Sequence, residues 1–303
     1  MNKTDWKEFS KPLSNYYFSQ RLRLHFVEWG NKNNPLVLLI HGGKDHARSW
    51  EWVAQDLCKD FHVVAPDLRG HGNSSWAQGS MYSVFDSVLD TVKLLDLFES
   101  CPVSIIGHSY GGIIAFLYAG FYPDKVNKLV IIEGLGKISS FQTEKMNKNP
   151  IWKRVPEWID TIKLYDKRSK RTYSSVRQAA SRMQSIIPSL STTQAEHIAE
   201  HGMFQNKDGS FSWKYDNYSS ILSPIRLEED EITEIEKKIT CPVLLLYGSK
   251  GWSQDPLNCG RKNQFCQAKS ICIPGAGHWL HHDRINTFLN TVRPFLKQTP
   301  LYD

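Results

Sequence analysis

The stretch from residue 103 to 120, VSIIGHSYGGIIAFLYAG, constrains the fold more than any other part of the chain. A β-branched run, Val103–Ile106, is typical of a buried strand, and the apolar helical segment Ile113–Ala119 follows without a linker. Between them lies Gly-His-Ser-Tyr-Gly, the G-x-S-x-G pattern of a sharp strand–turn–helix. Such a turn needs small residues two positions before and after the serine, so that strand and helix can approach each other. The sequence therefore predicts that Ser109 stands at the tip of the turn as a nucleophile.

Two backbone N–H groups are candidates for stabilising an oxyanion beside this serine. Tyr110 begins the helix, so its N–H points towards negative charge that develops at the serine. The continuous apolar run Leu36–Ile40 is typical of an interior parallel strand, and it ends in His41, Gly42 and Gly43. Glycines directly after a central strand let the loop fold close to the serine turn. We expect the Gly43 N–H to be the second donor, and the alternative is a simple strand-ending turn.

The length and the composition of the chain are those of a globular protein. A chain of 303 residues can bury a large core, and no run of about 18 apolar residues predicts a transmembrane helix. The N-terminus, MNKTDWKEFSKPLS, lacks the apolar segment of a secretory signal. The cysteines are scattered without a C-x-x-C pair, which favours reduced thiols and a cytoplasmic location. The six cysteines are Cys58, Cys101, Cys241, Cys259, Cys266 and Cys272.

The net charge of +6 is unevenly distributed along the chain. From Lys137 to Arg182 there are twelve Lys/Arg and four Asp/Glu, a local excess of eight positive charges. These charges are interleaved with apolar residues and no recognised nucleic-acid-binding motif accompanies them, so we do not expect a nucleic acid as partner. We interpret them as a solvated helical face that could attract anionic substrates.

Segments typical of strands and of helices alternate along most of the chain, which predicts an α/β fold with a parallel sheet and right-handed crossovers. An antiparallel pair, Tyr16–Ser19 with Arg21–Trp29, is expected at one edge. The other predicted strands are Leu36–Ile40, Phe61–Ala65, Val103–Ile106, Lys128–Ile132, Pro242–Tyr247 and Lys269–Ile273. Further helices are expected at Ser49–Lys59, Val84–Phe98 and Ile285–Leu296.

Residues 136–236 break this alternation. No strong strand run appears there, and aromatic residues sit among charges and short helical periods. We expect an inserted, mainly helical cap between two parts of the core, residues 1–135 and 237–303. The aromatic residues could form the core of the cap or line an apolar acyl pocket, and the sequence does not divide them. They are Trp152, Trp158, Tyr165, Tyr173, Trp213, Tyr215 and Tyr218.

Four motifs in this order resemble the α/β-hydrolase superfamily across nearly the whole chain. They are HGG at 41–43, DLRGHGNS at 67–74, GHSYGG at 107–112 and GAGHW at 275–279. The sequence is most similar to capped, serine-hydrolase-like members that are related to haloalkane dehalogenases and epoxide hydrolases. Those two groups carry an aspartate nucleophile, so Ser109 argues against both activities. The resemblance implies a mostly parallel eight-stranded sheet with helices on both faces, a Ser–acid–His triad and a helical lid over the C-terminal strand ends.

His278 is the base expected from this resemblance. It follows the last predicted strand in a glycine-rich loop, and the chain order serine, acid, histidine suits the fold. The rival histidines are His108, beside the nucleophile, and the pair His281 and His282.

The acid is where this sequence departs from the pattern of the superfamily. Most members have an aspartate a few residues beyond the strand that reads PVLLLY here, and that position is Gly251. Glu133, at the end of the strand after the serine turn, is the replacement we favour, although it could instead be the partner of a basic residue. Asp255 is the alternative acid, although it precedes Pro256 and could simply cap a helix. Asp283 is a third candidate.

These residues predict a serine hydrolase that cleaves a carboxylic ester, lactone or thioester through an acyl-enzyme, with His278 as base. We expect a small-molecule acyl substrate and no metal or organic cofactor. One alternative is a cofactor-free C–C hydrolase or lyase of the same fold. Another is a ligand-binding receptor that retains the triad, as some plant hormone receptors of this fold do. The sequence does not determine the substrate or the oligomeric state.

Overall fold

A computed structural model of the chain describes residues 11–79, 81–99, 102–135, 149–252, 255 and 265–298. An eight-stranded sheet runs through its centre in the order β1-β2-β4-β3-β5-β6-β9-β10. β2 is antiparallel to β1 and β4, and every other neighbouring pair is parallel. The strands are β1 (Leu13–Ser19), β2 (Leu22–Trp29), β3 (Leu36–Ile40), β4 (His62–Pro66), β5 (Val103–His108), β6 (Val126–Ile132), β7 (Met203–Gln205), β8 (Phe211–Trp213), β9 (Val243–Gly248) and β10 (Ala268–Ile273).

The α/β architecture predicted from the sequence is confirmed, including the antiparallel pair of β1 and β2 at one edge. The central strands β3, β4 and β5 are buried along their whole length, as expected for apolar runs covered by helices on both faces. The helices are α1 (Glu51–Leu57), α2 (Val84–Leu95), α3 (Tyr110–Phe121), α4 (Ile151–Asp166), α5 (Val176–Ile186), α6 (Thr192–Gly202), α7 (Glu229–Lys238), α8 (Leu280–Asp283) and α9 (Ile285–Lys297).

Two apolar cores lie on opposite faces of the sheet. One face is covered by α2, α3 and α7, through residues such as Leu94, Phe116 and Ile232. The other face is covered by α1 and α9, through residues such as Leu57 and Phe288. The first turn of α3 follows β5 directly, so the helix that packs on the central strands also fixes the serine at its start.

The segment between β6 and β9 contains α4 to α7 and a two-stranded hairpin, β7 with β8. A small apolar cluster that includes Ala179, Ala195 and Met203 joins α5, α6 and the hairpin. Sequence analysis did not predict these strands, because three residues are too few to show a period of two. A tight turn at 206–210 connects them, and Gly209 in this turn has a φ of +84°. α7 packs against α3 and belongs to the layer that covers the sheet.

Within the described ranges, no helix combines the length and the apolar character that crossing a bilayer requires. Four of the six cysteines, namely Cys58, Cys241, Cys266 and Cys272, lie in the described ranges, and each of these four is a free thiol. Cys101 and Cys259 lie outside the described residues.

Candidate active site

Ser109 occupies a strained turn between β5 and α3. Its backbone has φ +52° and ψ −116°, a combination that residues with a side chain seldom adopt. The turn is as tight as the spacing predicted. A Cβ on Gly107 would collide with the backbone of Gly111, and a Cβ on Gly111 would collide with the carbonyl of Ile40. The glycines therefore allow the close approach of strand and helix that holds the serine in this position.

A cavity of about 570 Å³, here called the serine cavity, is lined by both Ser109 and His278. Among the described residues, the Ser109 hydroxyl is hydrogen-bonded to no other group. The cavity walls are mainly apolar and come from the core and from the segment after the hairpin. They include Tyr82, Ile113, Leu117, Ile221, Ile225, Trp252 and Trp279.

The carboxylate of Glu133 lies next to the imidazole of His278, with Oε2 3.4 Å from Nδ1. Both side chains are buried. The backbone N–H of Gly248 donates to Oε1 at 2.8 Å, and the N–H of Trp252 donates to Oε2 at 3.1 Å. These two donors fix the carboxylate at the end of β9, where it can hold the imidazole tautomer. Glu133 itself has a φ of +51°, so this position is maintained against backbone strain.

The absence of a side chain at residue 251 makes room for this arrangement. A Cβ on Gly251 would collide with the Glu133 carboxylate. The other two acids point elsewhere. Asp255 accepts a hydrogen bond from the Ser270 hydroxyl at 2.8 Å. Asp283 accepts hydrogen bonds from the N–H of Gly277 at 2.7 Å and from the Ser189 hydroxyl at 2.5 Å.

The rival histidines surround His278 but differ from it in their contacts. His108 donates from Nε2 to the backbone carbonyl of His278 at 3.0 Å, which ties the base-bearing loop to the serine turn. His281 and His282 are buried and are not among the residues that line the serine cavity. His281 stacks on Trp50 at 4.5 Å between ring centroids. Burial lowers the pKa of His108 and His281 well below the usual value, and lowers that of His282 to about 3.

The two expected oxyanion donors line the serine cavity. In the described part of the chain, no acceptor is bonded to the backbone N–H of Gly43 or of Tyr110. His41 fixes the loop that contains Gly43. Its Nδ1 donates to the Gly42 carbonyl at 2.7 Å, and its Nε2 accepts from the Leu68 N–H at 3.0 Å. The backbone N–H groups of Gly43 and Tyr110 are therefore available to a developing oxyanion.

The DLRGHGNS segment has a structural role around the site. Asp67 accepts hydrogen bonds from His25 Nδ1 and from the backbone N–H groups of Ala47 and Asn73, each at 2.7 Å. Burial opposes its ionisation, but the hydrogen bond and the charge of His25 hold the pKa of Asp67 below its usual value. Arg69 donates two hydrogen bonds of 2.7 Å to Asp90 on α2. These contacts fix the loop that lies beneath the cavity.

Trp252 is a site residue that sequence reasoning missed. Its ring stacks on the imidazole of His278, with 3.8 Å between centroids and 14° between planes. It also forms part of the wall of the serine cavity, while two thirds of the side chain stays exposed. One feature of the sequence could have identified Trp252 as a site residue: it directly follows Gly251, in the loop where related proteins carry their acid.

The aromatic residues that the sequence assigned to a cap do not line the serine cavity. Tyr165, Tyr173, Trp213 and Tyr215 line a neighbouring cavity of about 770 Å³, and Trp158 and Tyr218 line a third. Trp152 is largely exposed. Within the described ranges, no group of three His, Cys, Asp or Glu side chains has an arrangement that would hold a metal ion.

Comparisons with known proteins identify the family to which this fold belongs. The family model for the alpha/beta hydrolase fold matches residues 35–285. Epoxide hydrolase 3 of Mus musculus is 26% identical over 273 residues, covering 86% of this chain and 70% of that protein. A serine hydrolase-like protein of Danio rerio is 26% identical over 280 residues, covering 90% and 85%.

Among solved structures, a thioesterase domain from the curacin biosynthetic pathway superimposes with a TM-score of 0.81 at 26% identity. The superposition covers 93% of this chain and 99% of that domain. The family model spans the serine turn, the oxyanion loop and the His278 loop together. The chain is therefore a hydrolase that belongs to the α/β-hydrolase family.

Proposed function

We propose that this hydrolase cleaves a carboxylic ester, lactone or thioester through an acyl-enzyme on Ser109. The observation that carries the proposal is the contact of the buried Glu133 carboxylate with His278, in a cavity that also exposes a serine at a strained turn. A serine nucleophile needs a base that is itself oriented by a third group, and this combination supplies one.

The reaction begins when His278 Nε2 takes the proton of Ser109 as Oγ attacks the carbonyl carbon. Glu133 accepts a hydrogen bond from Nδ1–H and stabilises the imidazolium that forms. The N–H groups of Gly43 and Tyr110 donate to the oxyanion, and removing such a donor typically costs about 3 kcal/mol of transition-state stabilisation. His278 then protonates the leaving group, which departs as an alcohol or thiol.

The second half of the reaction releases the acid. Water enters beside the acyl-enzyme, His278 accepts its proton, and the resulting oxygen nucleophile attacks the acyl carbon. The second tetrahedral intermediate uses the same two N–H donors. Its collapse breaks the bond to Ser109 Oγ, which regains its proton from His278.

The relatives support acyl transfer to different degrees. A thioesterase domain shares the fold over nearly its whole length, which is consistent with a thioester substrate. The epoxide hydrolase names point to a different reaction. Epoxide hydrolases of this superfamily resemble the present chain but attack with an aspartate carboxylate, and this chain has a serine hydroxyl at that position. We therefore favour the acyl substrates.

Burst and steady-state hydrolysis of p-nitrophenyl acetate and butyrate tests the proposal. Wild type should turn over, and Ser109→Ala should lose the burst and at least about 10³-fold of kcat. Asp255→Asn serves as the matched carboxylate control and should stay active. Folded wild type that hydrolyses neither ester, or a Ser109→Ala variant with wild-type turnover, would contradict the proposal and favour the lyase or receptor alternatives.

A further inference from the structure

A second cavity adjoins the serine cavity beneath the cap. It measures about 770 Å³ and is here called the basic cavity. The two cavities share Gly43, Lys44, Trp252 and Trp279 as lining residues. Gly43 is an expected oxyanion donor and Trp252 stacks on His278, so the wall that the two cavities share lies beside the reacting groups.

The basic cavity is rich in positive charge. In the described part of the chain, none of its five cationic side chains forms an ion pair with a carboxylate. Arg177 on the same cap, by contrast, pairs with Glu196 at 3.4 Å and does not line the cavity. The five cations that line the basic cavity are Lys44, Arg168, Lys170, Arg171 and Arg182.

One carboxylate, that of Asp45, also belongs to the residues that line the basic cavity. It accepts a hydrogen bond from the backbone N–H of His46 at 2.9 Å. Burial raises the pKa of Asp45 to about 7, so at neutral pH it carries only part of a negative charge. The cavity therefore keeps a net positive charge even with this residue included.

The rest of the wall suits the chain that leads to an anionic group. Tyr165, Tyr173, Trp213 and Tyr215 contribute aromatic surface, and Met183, Ile186 and Ile187 contribute aliphatic surface. Arginines hold planar anions through paired N–H donors, and lysines hold them as point charges. An apolar wall with a cationic edge is suited to an organic acid and not to a small inorganic ion alone.

We propose that the basic cavity binds an anionic group, a carboxylate or a phosphate, on the part of the substrate remote from the scissile carbonyl. The inference rests on the proposed function and names its substrate class: esters or thioesters that carry negative charge. A carboxylate would lie on the acyl chain, as in a half-ester of a dicarboxylic acid. A phosphate would lie on the leaving group, as in coenzyme A thioesters.

Two matched substrate pairs test this proposal. The first pair is p-nitrophenyl hydrogen adipate and methyl p-nitrophenyl adipate, which differ in the terminal charge. The second pair is butyryl-coenzyme A and the butyryl thioester of N-acetylcysteamine, which lacks the nucleotide. We expect wild type to prefer the charged member of one pair by about tenfold in kcat/KM, because several modest charge pairs act together. Added NaCl should reduce that preference.

The double variant Arg171→Gln/Arg182→Gln should reduce the preference to about twofold or less. The comparison uses the ratio of kcat/KM for the charged and the neutral member of a pair. A change that affects both substrates equally therefore cancels. Arg177→Gln is the matched control and should keep the wild-type ratio, because Arg177 lies on the same helix as Arg182 but pairs with Glu196 and does not line the cavity. The pair that shows the preference identifies the carboxylate or the phosphate as the source of the anion.

Equal kcat/KM for both members of both pairs, with neutral substrates hydrolysed, would overturn the inference and leave the proposed function standing. If no substrate is hydrolysed, the proposed function fails, and calorimetric titration of monomethyl adipate and coenzyme A still tests the cavity. Binding that weakens in the double variant but not in Arg177→Gln supports the inference. No binding of either compound to wild type contradicts it.

Discussion

The carboxylate of Glu133 fills the space that a side chain on Gly251 would need. Glu133 comes from the end of β6, whereas Gly251 lies in the loop after β9, where related hydrolases carry their acid. The parallel pairing of β6 with β9 brings these two strand ends together. The Glu133 side chain thus reaches from the end of β6 into the space beside Gly251, and its carboxylate contacts Nδ1 of His278.

Glu133→Gln should reduce kcat by on the order of 10³-fold with little change in fold. Glutamine keeps the volume beside Gly251 but cannot stabilise an imidazolium as a carboxylate does. Hydrolysis of p-nitrophenyl butyrate measures the effect, and the thermal midpoint checks the fold. Asp255→Asn is the control and should retain activity. A dead Asp255→Asn with an active Glu133→Gln would exchange the roles of the two acids.

The acid should be transferable from Glu133 to residue 251. Gly251→Asp alone should lose activity and stability, because its Cβ collides with the Glu133 carboxylate. Combining it with Glu133→Ala removes the collision and restores a carboxylate beside the imidazole. The double variant should exceed Glu133→Ala by at least about tenfold in kcat. If the double variant is no more active than Glu133→Ala, a carboxylate on residue 251 does not replace that of Glu133 beside His278, and the prediction is wrong.

Trp252→Leu should lower kcat about two- to fivefold, while Trp252→Phe should retain most of it. The ring is stacked on His278, and an aromatic face stabilises a cation by about 0.5–1 kcal/mol at an exposed site. Steady-state kinetics with p-nitrophenyl acetate separate kcat from KM. An equal loss in both variants would indicate a role for the indole other than stacking on the imidazole.

Gly43→Pro should reduce kcat by about 10²- to 10³-fold, because proline has no N–H to donate to the oxyanion. Gly43→Ala is the matched variant and retains the N–H. A Cβ at residue 43 meets no atom within 4 Å, so alanine fits without rearrangement. Initial rates with p-nitrophenyl butyrate and thermal midpoints are compared for both variants. Full activity in a folded Gly43→Pro would remove this residue from the oxyanion site.

The protein should lose stability as the pH falls below about 6.5. Burial lowers the pKa of His41 and His282 to about 3 and that of His46 to about 4, whereas an unfolded histidine titrates near 6.5. The unfolded state therefore binds more protons in this window, and each such group costs about 2 kcal/mol of unfolding free energy between pH 6.5 and 5. Asp45, with its raised pKa, acts in the opposite direction but is a single group.

His281 is a further buried histidine whose pKa burial lowers well below the usual value, and His281→Phe isolates its contribution. Phenylalanine can keep the stacking on Trp50, and in the described part of the chain neither ring nitrogen of His281 has a hydrogen-bond partner. Denaturant unfolding at pH 7, 6 and 5 should show a loss of stability about 2 kcal/mol smaller in this variant than in wild type. Parallel curves for the two proteins would contradict a neutral, buried His281.

Local patterns in the sequence predicted the elements on which the site stands. The turn at Ser109 is predictable because its glycines are a steric requirement of the turn itself. The buried strands are predictable because a strand covered on both faces must be apolar along its length. The small hairpin of β7 and β8 escaped prediction, since its strands are stabilised by packing on the cap helices and are too short to show a period.

The sequence left the acid open between Glu133 and Asp255, because both lie near the ends of strands. The order of the strands in the sheet decided which side chain each acid contacts. β6 lies next to β9, and Glu133 at the end of β6 contacts His278. Asp255 instead accepts a hydrogen bond from Ser270 on β10. The count of positive charges in the cap was likewise visible in the sequence. Which of them pair with carboxylates, as Arg177 does, and which face a cavity depends on contacts between residues far apart in the chain.

The sequence by itself therefore determined the α/β fold and the serine at its turn, since both depend on short-range sterics and the burial of apolar runs. Only the tertiary structure decided which carboxylate contacts His278, that Trp252 covers its imidazole, and that cations without an ion pair among the described residues line a cavity beside Ser109. The physical reason is that hydrogen bonds, ring stacking and charge pairing act over a few ångströms. They are set by which segments the sheet brings together, and not by their separation along the chain.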